Sequence, residues 1–454
     1  MQRVAIIGYG AVGQALTPLL LARPGIEASV VSVVCPDADA AAVASSFGLG
    51  FTAAALTAQN FAAVLESSLA PGDCLINVSV DVCSAELIRW CRDHGVLYLD
   101  TCIEPWAGGY GSPSNPVVTT NYALRNEALA LHVPGAPTAV VAHGANPGLV
   151  SHFAKAGMLE LAELRGVDRW DSWADLARRL DVRVIQIAER DTQTGLLPAG
   201  AAAAFCNTWS ADGLLAEAWQ CAELGWGSHE DRLPALAHRH DFGDGAGIRL
   251  DRHGVDVRVR SWVPSVGPQS AHLITHHEAL SIASFLTIPG RDAGTPRYRP
   301  TVYYAYRPSP LTAASLERWV RQGYGEPPVK RLLRDDLAEG FDQLGALFVF
   351  PGGAYWYGST LTLQEARALA PCNNATTMQV AAGIIAAFEW MRRHRREGVV
   401  EAESMDHEFV LAVARPYLGD VSGVLSDWQP APGSGLQWRD FAPTGITLME
   451  ESLS

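Results

Sequence analysis

Runs of consecutive apolar residues alternate along the first third of the chain with segments whose apolar positions recur every three or four residues. This is the pattern of buried strands joined by amphipathic helices. Residues 4–7 (Val-Ala-Ile-Ile) read as the first strand, and an apolar helical pattern runs on through Leu21. Further strands are expected at 28–34, 73–78, 96–99 and 138–142, with helices at 40–47, 58–69 and 84–94. Such alternation predicts an α/β fold, an N-terminal Rossmann-type doubly wound parallel sheet. From about residue 147 the pattern changes. A helix at 149–161 gives way to β-rich stretches at 182–188, 255–262, 301–306 and 346–350, joined by long Gly- and Pro-rich connections. This predicts an inserted α+β domain on a mixed sheet. Asn373-Asn374-Ala375-Thr376-Thr377 then opens a long helix whose basic end (Arg392, Arg393, Arg395, Arg396) suits the negative pole of its dipole. The stretch from about 415, rich in Pro, Gly and Trp, is expected to wrap a surface.

The first strand runs directly into Gly8-Tyr9-Gly10-Ala11-Val12-Gly13. A GxGxxG run is a weak signal alone, but between a buried strand and a helix it is the fingerprint of a dinucleotide cradle. Gly8 permits the tight turn, Gly10 lets backbone approach a pyrophosphate, and Gly13 brings helix and sheet together. The helix start, with Ala11 and Val12, supplies amide donors and a positive dipole end. The second strand ends at Cys35-Pro36, so Asp37 is the acid available for the adenosine ribose. No Lys or Arg occurs between Arg23 and Arg89, which leaves a 2′-phosphate without a local cation and favours NAD over NADP. The expected organisation is an NAD-binding domain at 1–146, a substrate, catalytic and dimerisation domain at 147–370, and at 371–454 a C-terminal helix and tail returning to the Rossmann domain.

Composition narrows the chemistry. The 48 acidic and 34 basic residues give a net charge of −14, which disfavours nucleic acid or an anionic membrane as partner and suits a cationic small substrate. Only Lys155 and Lys330 are lysines, so Schiff-base catalysis through lysine is poorly supplied. The eight cysteines contain no CxxC pair and read as reduced, buried thiols of a cytoplasmic protein. No signal-peptide pattern and no run of 18 apolar residues is present.

Three loops leave the carboxyl ends of the expected strands, where ligands of such sheets bind. They are Asn77-Val78-Ser79-Val80-Asp81, Asp100-Thr101-Cys102-Ile103-Glu104-Pro105-Trp106 and His143-Gly144-Ala145-Asn146-Pro147-Gly148. In the second domain Glu189-Arg190-Asp191-Thr192-Gln193 closes a strand, and Asn207-Thr208-Trp209-Ser210 precedes a helix bearing Glu217. An indole facing carboxylates can hold an ammonium group through its ring quadrupole, although core packing is the usual fate of a tryptophan. His272 and His276 have helical metal-pair spacing, but HExxH is absent and no third ligand suggests itself, so no metal is expected. His276 is better placed as a proton carrier. His238-Arg239-His240 reads as a solvated loop.

Taken together, GYGAVG (8–13), NVSVD (77–81), TCIEPW (101–106), HGANPGLVSHF (143–153), NTWSADG (207–213), AELGWGSHE (222–230) and NNATTMQV (373–380) resemble the bacterial homospermidine synthases, a branch of the saccharopine-reductase-like fold. The resemblance implies a homodimer that joins two putrescines into sym-homospermidine and releases ammonia, with tightly held NAD regenerated each turnover. It implies Asn146, Glu189 and His276 as catalytic residues at an inner amino site, with the choice between Glu189 and Asp191 open. Glu104, Trp209 and Glu217, with Asp81, would bind substrate at an outer, cationic entrance. The cofactor contacts would be Gly8, Gly10, Ala11, Val12, Gly13, Asp37, Asn77, Ser79, Thr101, Asn146 and Asn374. The alternatives are a saccharopine- or carboxynorspermidine-type NAD(P)-dependent dehydrogenase, whose carboxylated substrate would want an arginine, and a non-catalytic NAD sensor.

Overall fold

The computed structural model describes residues 3–111, 119–197, 201–291, 295–371 and 373–442. The expected first strand, β1 (Val4–Ile7), is buried along its whole length and is an inner strand of a seven-stranded parallel sheet. It pairs on one side with β2 (Val31–Cys35) and through it with β3 (Gly50–Ala53), and on the other with β4 (Cys74–Asn77). Beyond β4 lie β5 (Leu97–Asp100) and β6 (Ala139–Val140). The expected strand at 28–34 starts only at Val31, because Ala28–Val30 form a 3-10 turn. β3 was not expected: it is an exposed edge strand without an apolar run, and the helix anticipated at 58–69 is confined to Phe61–Glu66. A helix at Asn121–Leu129, capped by the Thr120 hydroxyl, also carries no strong apolar period.

The helix anticipated at 149–161 continues to Arg165 and ends at Gly166 in the left-handed conformation. It packs against one face of a ten-stranded mixed sheet, the second domain. At its centre β7 (Val184–Asp191) pairs in parallel with Thr301–Arg307 and antiparallel with Phe341–Phe350. Alternation along β7 turns Ile185 and Ile187 towards the helix Leu149–Arg165 and Val184 and Ala188 towards the opposite face.

The long helix Ala375–Arg393 packs against α1 (Ala11–Leu21), and Val399–Val400 then extends the parallel sheet beside β6, so this part lies on the Rossmann domain. The later tail does not. Asp420–Ser426 becomes an edge strand of the second sheet, and Trp438–Phe441 closes that sheet's far face with Trp226, Trp262 and Trp356. Burying Trp438 and Phe441 there removes their apolar surface from water. His240 is another correction to the solvated loop: its ring is buried, 3.3 Å from Glu223 and stacked on Tyr122 at 4.2 Å between centroids. No disulfide joins the seven described cysteines. Four are buried, whereas Cys83, Cys102 and Cys221 are only half-buried; Cys372 lies outside the described residues.

Candidate active site

The cradle has the geometry its sequence demands. Gly8 takes φ +85° with Ser79 so close that a Cβ would meet it at 3.0 Å, so an L side chain there is both strained and crowded. A Cβ on Gly13 would fall 2.8 Å from the Gly8 carbonyl oxygen. At Gly10 nothing lies within 4 Å, leaving open the space above the amino end of α1 that a pyrophosphate would fill. Asn77 at the end of β4 receives hydrogen bonds from the Ser79 amide (3.2 Å) and hydroxyl (2.6 Å), which leaves its buried Nδ2 without a protein partner. An orphaned buried amide beside the cradle fits a ligand acceptor there. Thr101, just beyond β5, is half-buried. Asp37 uses its Oδ1 to cap the helix Ala38–Ser46 through the Asp39 amide. Asn374, expected among the cofactor contacts, has its carboxamide committed elsewhere. Nδ2 donates to the Thr208 and Leu333 carbonyls, and Oδ1 accepts from the Thr377 amide at 2.9 Å.

The loop 143–148 follows β6 at the carboxyl end of the same sheet, with the His143 amide bonded to the Asp100 carbonyl at 2.8 Å, and carries Asn146. Its backbone is pressed on the helix Ala375–Arg393, where a Cβ at Gly383 would sit 2.0 Å from the Gly144 carbonyl oxygen. From the other side Glu278 clamps it, Oε1 accepting from the amides of Gly148 (3.0 Å) and Ser151 (2.6 Å) at the start of the helix Leu149–Arg165. Asn146 is thereby held so that its Nδ2 donates to Glu189 Oε2 at 2.8 Å. The Tyr304 hydroxyl donates to the same oxygen at 2.6 Å. His276 stands at the start of the helix His277–Phe285, its ring 4.8 Å from that of Tyr304 and beside the Asn146 backbone. The three residues expected to be catalytic therefore meet, around a tyrosine that had not been anticipated.

Glu189 and Asp191 share a face of β7, yet they do different things. Asp191 is spent on the Gln193 amide (2.8 Å), the Gln193 side chain and the Thr208 hydroxyl (3.0 Å). Glu189 is the one turned to Asn146 and Tyr304. Directly opposite Asp191 in the neighbouring strand is Asp342, whose Oδ2 accepts from Thr376 at 2.6 Å while Oδ1 has no partner. The Trp209 indole covers Gly213 and lies beside the Tyr306 hydroxyl, and Tyr306 stacks on Tyr304. Glu217, two turns further along the helix Ala211–Trp219, feels the charges of Glu104 and Glu189. Glu104 in turn lies near Asp81, whose amide approaches Glu104 Oε2 at 3.5 Å. Asp81 itself is exposed, with Asp212 and Lys330 as its charged neighbours, and marks the outer end of the row.

Burial dominates the electrostatics. It pushes Glu189 up to about 7, against the lowering by Tyr304 and Asn146, with Asp191 adding repulsion. Glu104 rises to about 7 and Glu217 to about 8, and Asp342 is driven well above the carboxylate range. His276 moves the other way, to about 3, so its imidazole is neutral, and its Nδ1 is buried without a partner. The leading influences on Glu104, Glu189 and Glu217 include no Arg or Lys. Such a chain of carboxyls with raised proton affinity, lined by aromatic faces, can take protons from ammonium groups and hold those that remain charged. Tyr304, Tyr306, Tyr110 (near Glu104 and Glu217) and Asp342 were missed by sequence reasoning. The alternation in 301–306 could have put Tyr304 and Tyr306 on one face, but not beside β7. Among the described residues, no group of three or more His, Cys, Asp or Glu is arranged to hold a metal, and no helix is long and apolar enough to cross a membrane.

Comparison with known proteins agrees with this geometry. Residues 4–140 match the saccharopine dehydrogenase NADP binding domain, and residues 144–424 the saccharopine dehydrogenase C-terminal domain. The homospermidine synthase of Blastochloris viridis is 40% identical over 443 residues, 95% of this chain and 92% of that one. That of Mesorhizobium japonicum is 40% identical over 444 residues, 94% and 91% of the two chains. The crystal structure of a homospermidine synthase from Legionella pneumophila in complex with NAD superposes with a TM-score of 0.89 at 39% identity, covering 97% of this chain and 98% of that one.

Proposed function

The chain belongs to the homospermidine synthase family, within the saccharopine dehydrogenase group, and from that premise we propose that it condenses two putrescines into sym-homospermidine and ammonia, with NAD as a retained cofactor. The observation that carries this reading is the row Asp81, Glu104, Glu217, Glu189, which ends at Asn146, Tyr304 and His276. A saccharopine- or carboxynorspermidine-type substrate would bring carboxylates into that row, where Glu104, Glu217 and Glu189 have no Arg or Lys among their leading influences.

Gly8, Gly10, Ala11, Val12, Gly13, Asn77, Ser79 and Thr101 would hold the dinucleotide. When bound, it would supply a two-electron acceptor for an amine-bearing carbon and later the matching donor. Everything else falls to the protein. Putrescine enters as a dication, and a carbon bearing an ammonium group cannot be oxidised to an imine until that group loses a proton. Glu189, poised near 7, takes it, while the neutral His276 and Asn146 orient the resulting amine. Glu217 and Glu104 anchor the far ammonium, with Trp209 offering its ring face. A second putrescine amine, having given its proton to a carboxylate of the same row, attacks the imine carbon; the C–N bond to the first nitrogen breaks, and that nitrogen leaves with this proton as ammonium. Glu189 returns its proton as the new C=N bond is reduced, so protons and electrons balance over the cycle. The aromatic wall of Tyr304, Tyr306 and Trp209 keeps out water, which would hydrolyse the imine. A cytoplasmic homodimer is part of the same proposal.

The test incubates purified protein with putrescine and NAD. A triamine with no net NADH is expected. Net NADH accumulation without triamine would assign a simple dehydrogenase, and bound NAD without turnover a sensor.

A further inference from the structure

A doubly negative pyrophosphate at the glycine turn would find few cations in the Rossmann domain itself. Between Arg23 and Arg89 that domain contains neither Lys nor Arg, so the cradle's own means of neutralisation are amides and the positive end of α1, equivalent to about half a unit charge. The second domain sends a cation to this place. Arg334 donates from Nη1 to Gln14 Oε1 at 2.7 Å, and Gln14 donates from Nε2 to the carbonyl of Tyr9 at 2.9 Å. Tyr9 lies between Gly8 and Gly10, so one side chain separates the guanidinium from the turn that receives the phosphates.

Arg334 is held there by backbone contacts. Its carbonyl accepts from Arg367 Nη2 at 2.9 Å and from the Leu337 amide at 3.1 Å. The preceding Leu333 is bonded through its amide to Asn207 (2.7 Å) and through its carbonyl to Asn374 Nδ2 (3.0 Å). The segment that positions Arg334 is thus fastened to the loop bearing Trp209 and to the start of the helix Ala375–Arg393. The Asn374 carboxamide thus supports the segment that carries Arg334.

We propose that Arg334 binds the pyrophosphate of the dinucleotide from the second domain, opposite the glycine turn, so that cofactor retention depends on both domains. The proposal rests on the reading of the protein as an NAD enzyme. A planar guanidinium suits phosphate oxygens better than a point charge does. Contact with the pyrophosphate follows from the position at the first turn of α1; a 2′-phosphate would lie at the end of β2, beside Asp37. Retention matters because the same dinucleotide must survive from the oxidation to the reduction of one turnover.

Binding of NAD, ADP-ribose and adenosine to the full chain, stripped of dinucleotide, is measured by calorimetry for wild type, R334K and R334Q. Melting curves report whether each variant folds. In R334Q the affinities for NAD and ADP-ribose should fall about tenfold to a hundredfold, with adenosine unchanged. R334K should lie between R334Q and wild type, and the gap between wild type and R334Q should narrow with salt. NAD affinity in R334Q within twofold of wild type would overturn the proposal. So would equal losses for adenosine and ADP-ribose, which would make the Arg334–Gln14 bond a domain contact only. Wild-type protein that fails to bind NAD at all would instead overturn the functional reading beneath it.

Discussion

Replacing Glu217 with Gln should make the free protein more stable and the enzyme worse. Burial and the neighbouring charges of Glu104 and Glu189 raise the Glu217 carboxyl from 4.5 to about 8. An acid whose folded form binds its proton more tightly than the unfolded chain contributes fully to stability below about pH 4.5. That contribution is lost as pH climbs through 8. With each tenfold change in proton affinity worth about 1.4 kcal/mol, the loss grows from about 1 kcal/mol at pH 5 to about 4 kcal/mol at pH 8. Glu217 is half-buried, so solvent screening trims the difference between the two pH values to roughly 2 kcal/mol. A glutamine of the same shape carries no charge to desolvate and escapes this loss. At about 2 cal/mol/K of unfolding entropy per residue, a chain of this length gains about 1 °C for each kcal/mol. Melting curves should therefore show E217Q about 2 °C above wild type at pH 8 and within about 1 °C of it at pH 5. Putrescine should reverse the order, since the dication supplies the missing countercharge to wild type and finds less of it in the variant. A gap that does not widen with pH, or equal stabilisation of both proteins by putrescine, would refute the reasoning.

E189Q should lower kcat by about 10²–10⁴, the usual worth of a positioned general base, with NAD affinity unchanged. It should also abolish the rise of kcat/KM through about pH 7 that the raised Glu189 carboxyl gives wild type, which a pH–rate profile would read. W209A should raise KM for putrescine roughly threefold to thirtyfold, matching a cation–π contribution of about 0.5–2 kcal/mol, and W209F should recover part of it; initial-rate kinetics with unchanged NAD titration would check this. G8A forces a Cβ to 3.0 Å from Ser79 at φ +85°, and fluorescence titration should find dinucleotide binding lost.

The parts of this protein that announce themselves in sequence are those governed by local rules. β1 and its glycine turn are legible because a buried parallel strand needs an apolar run and the turn needs residues without a Cβ. β3 was invisible because an exposed edge strand of four residues carries no periodicity. The loops with Asn77, Glu104 and Asn146 were legible as loops at strand ends, but their convergence was not. Whether Glu189 or Asp191 faces the substrate depends on which hydroxyls and amides lie opposite each, and that follows from pairing register with Thr301–Arg307 and Phe341–Phe350. Tyr304 is the clearest case. It reads as one more aromatic in a strand, and only the parallel register brings its hydroxyl 2.6 Å from Glu189. Asp420–Ser426 and Trp438–Phe441 show the same limit at the scale of a domain, since nothing local states which sheet they will cover.

The net charge of −14 is weak evidence about function while it is spread over a sequence, because most acidic proteins are merely soluble. It becomes informative once carboxyls are found stacked in a low-dielectric row. A surface glutamate is stable when ionised; Glu104, Glu189 and Glu217 are each pushed to about 7 or 8 by their surroundings. β7 and the helix Ala211–Trp219, which carry Glu189 and Glu217, are also packed into the main core through Ile185, Ile187, Leu214 and Leu215, which offsets that cost. A fold that spends stability to keep carboxyls together, near neutrality and without arginines, is selective in both directions. It gives a diamine two countercharges and a base of matched strength, and it gives a carboxylated amine only repulsion. The choice between a polyamine and an amino-acid substrate is therefore made by the row itself, before any contact with the cofactor.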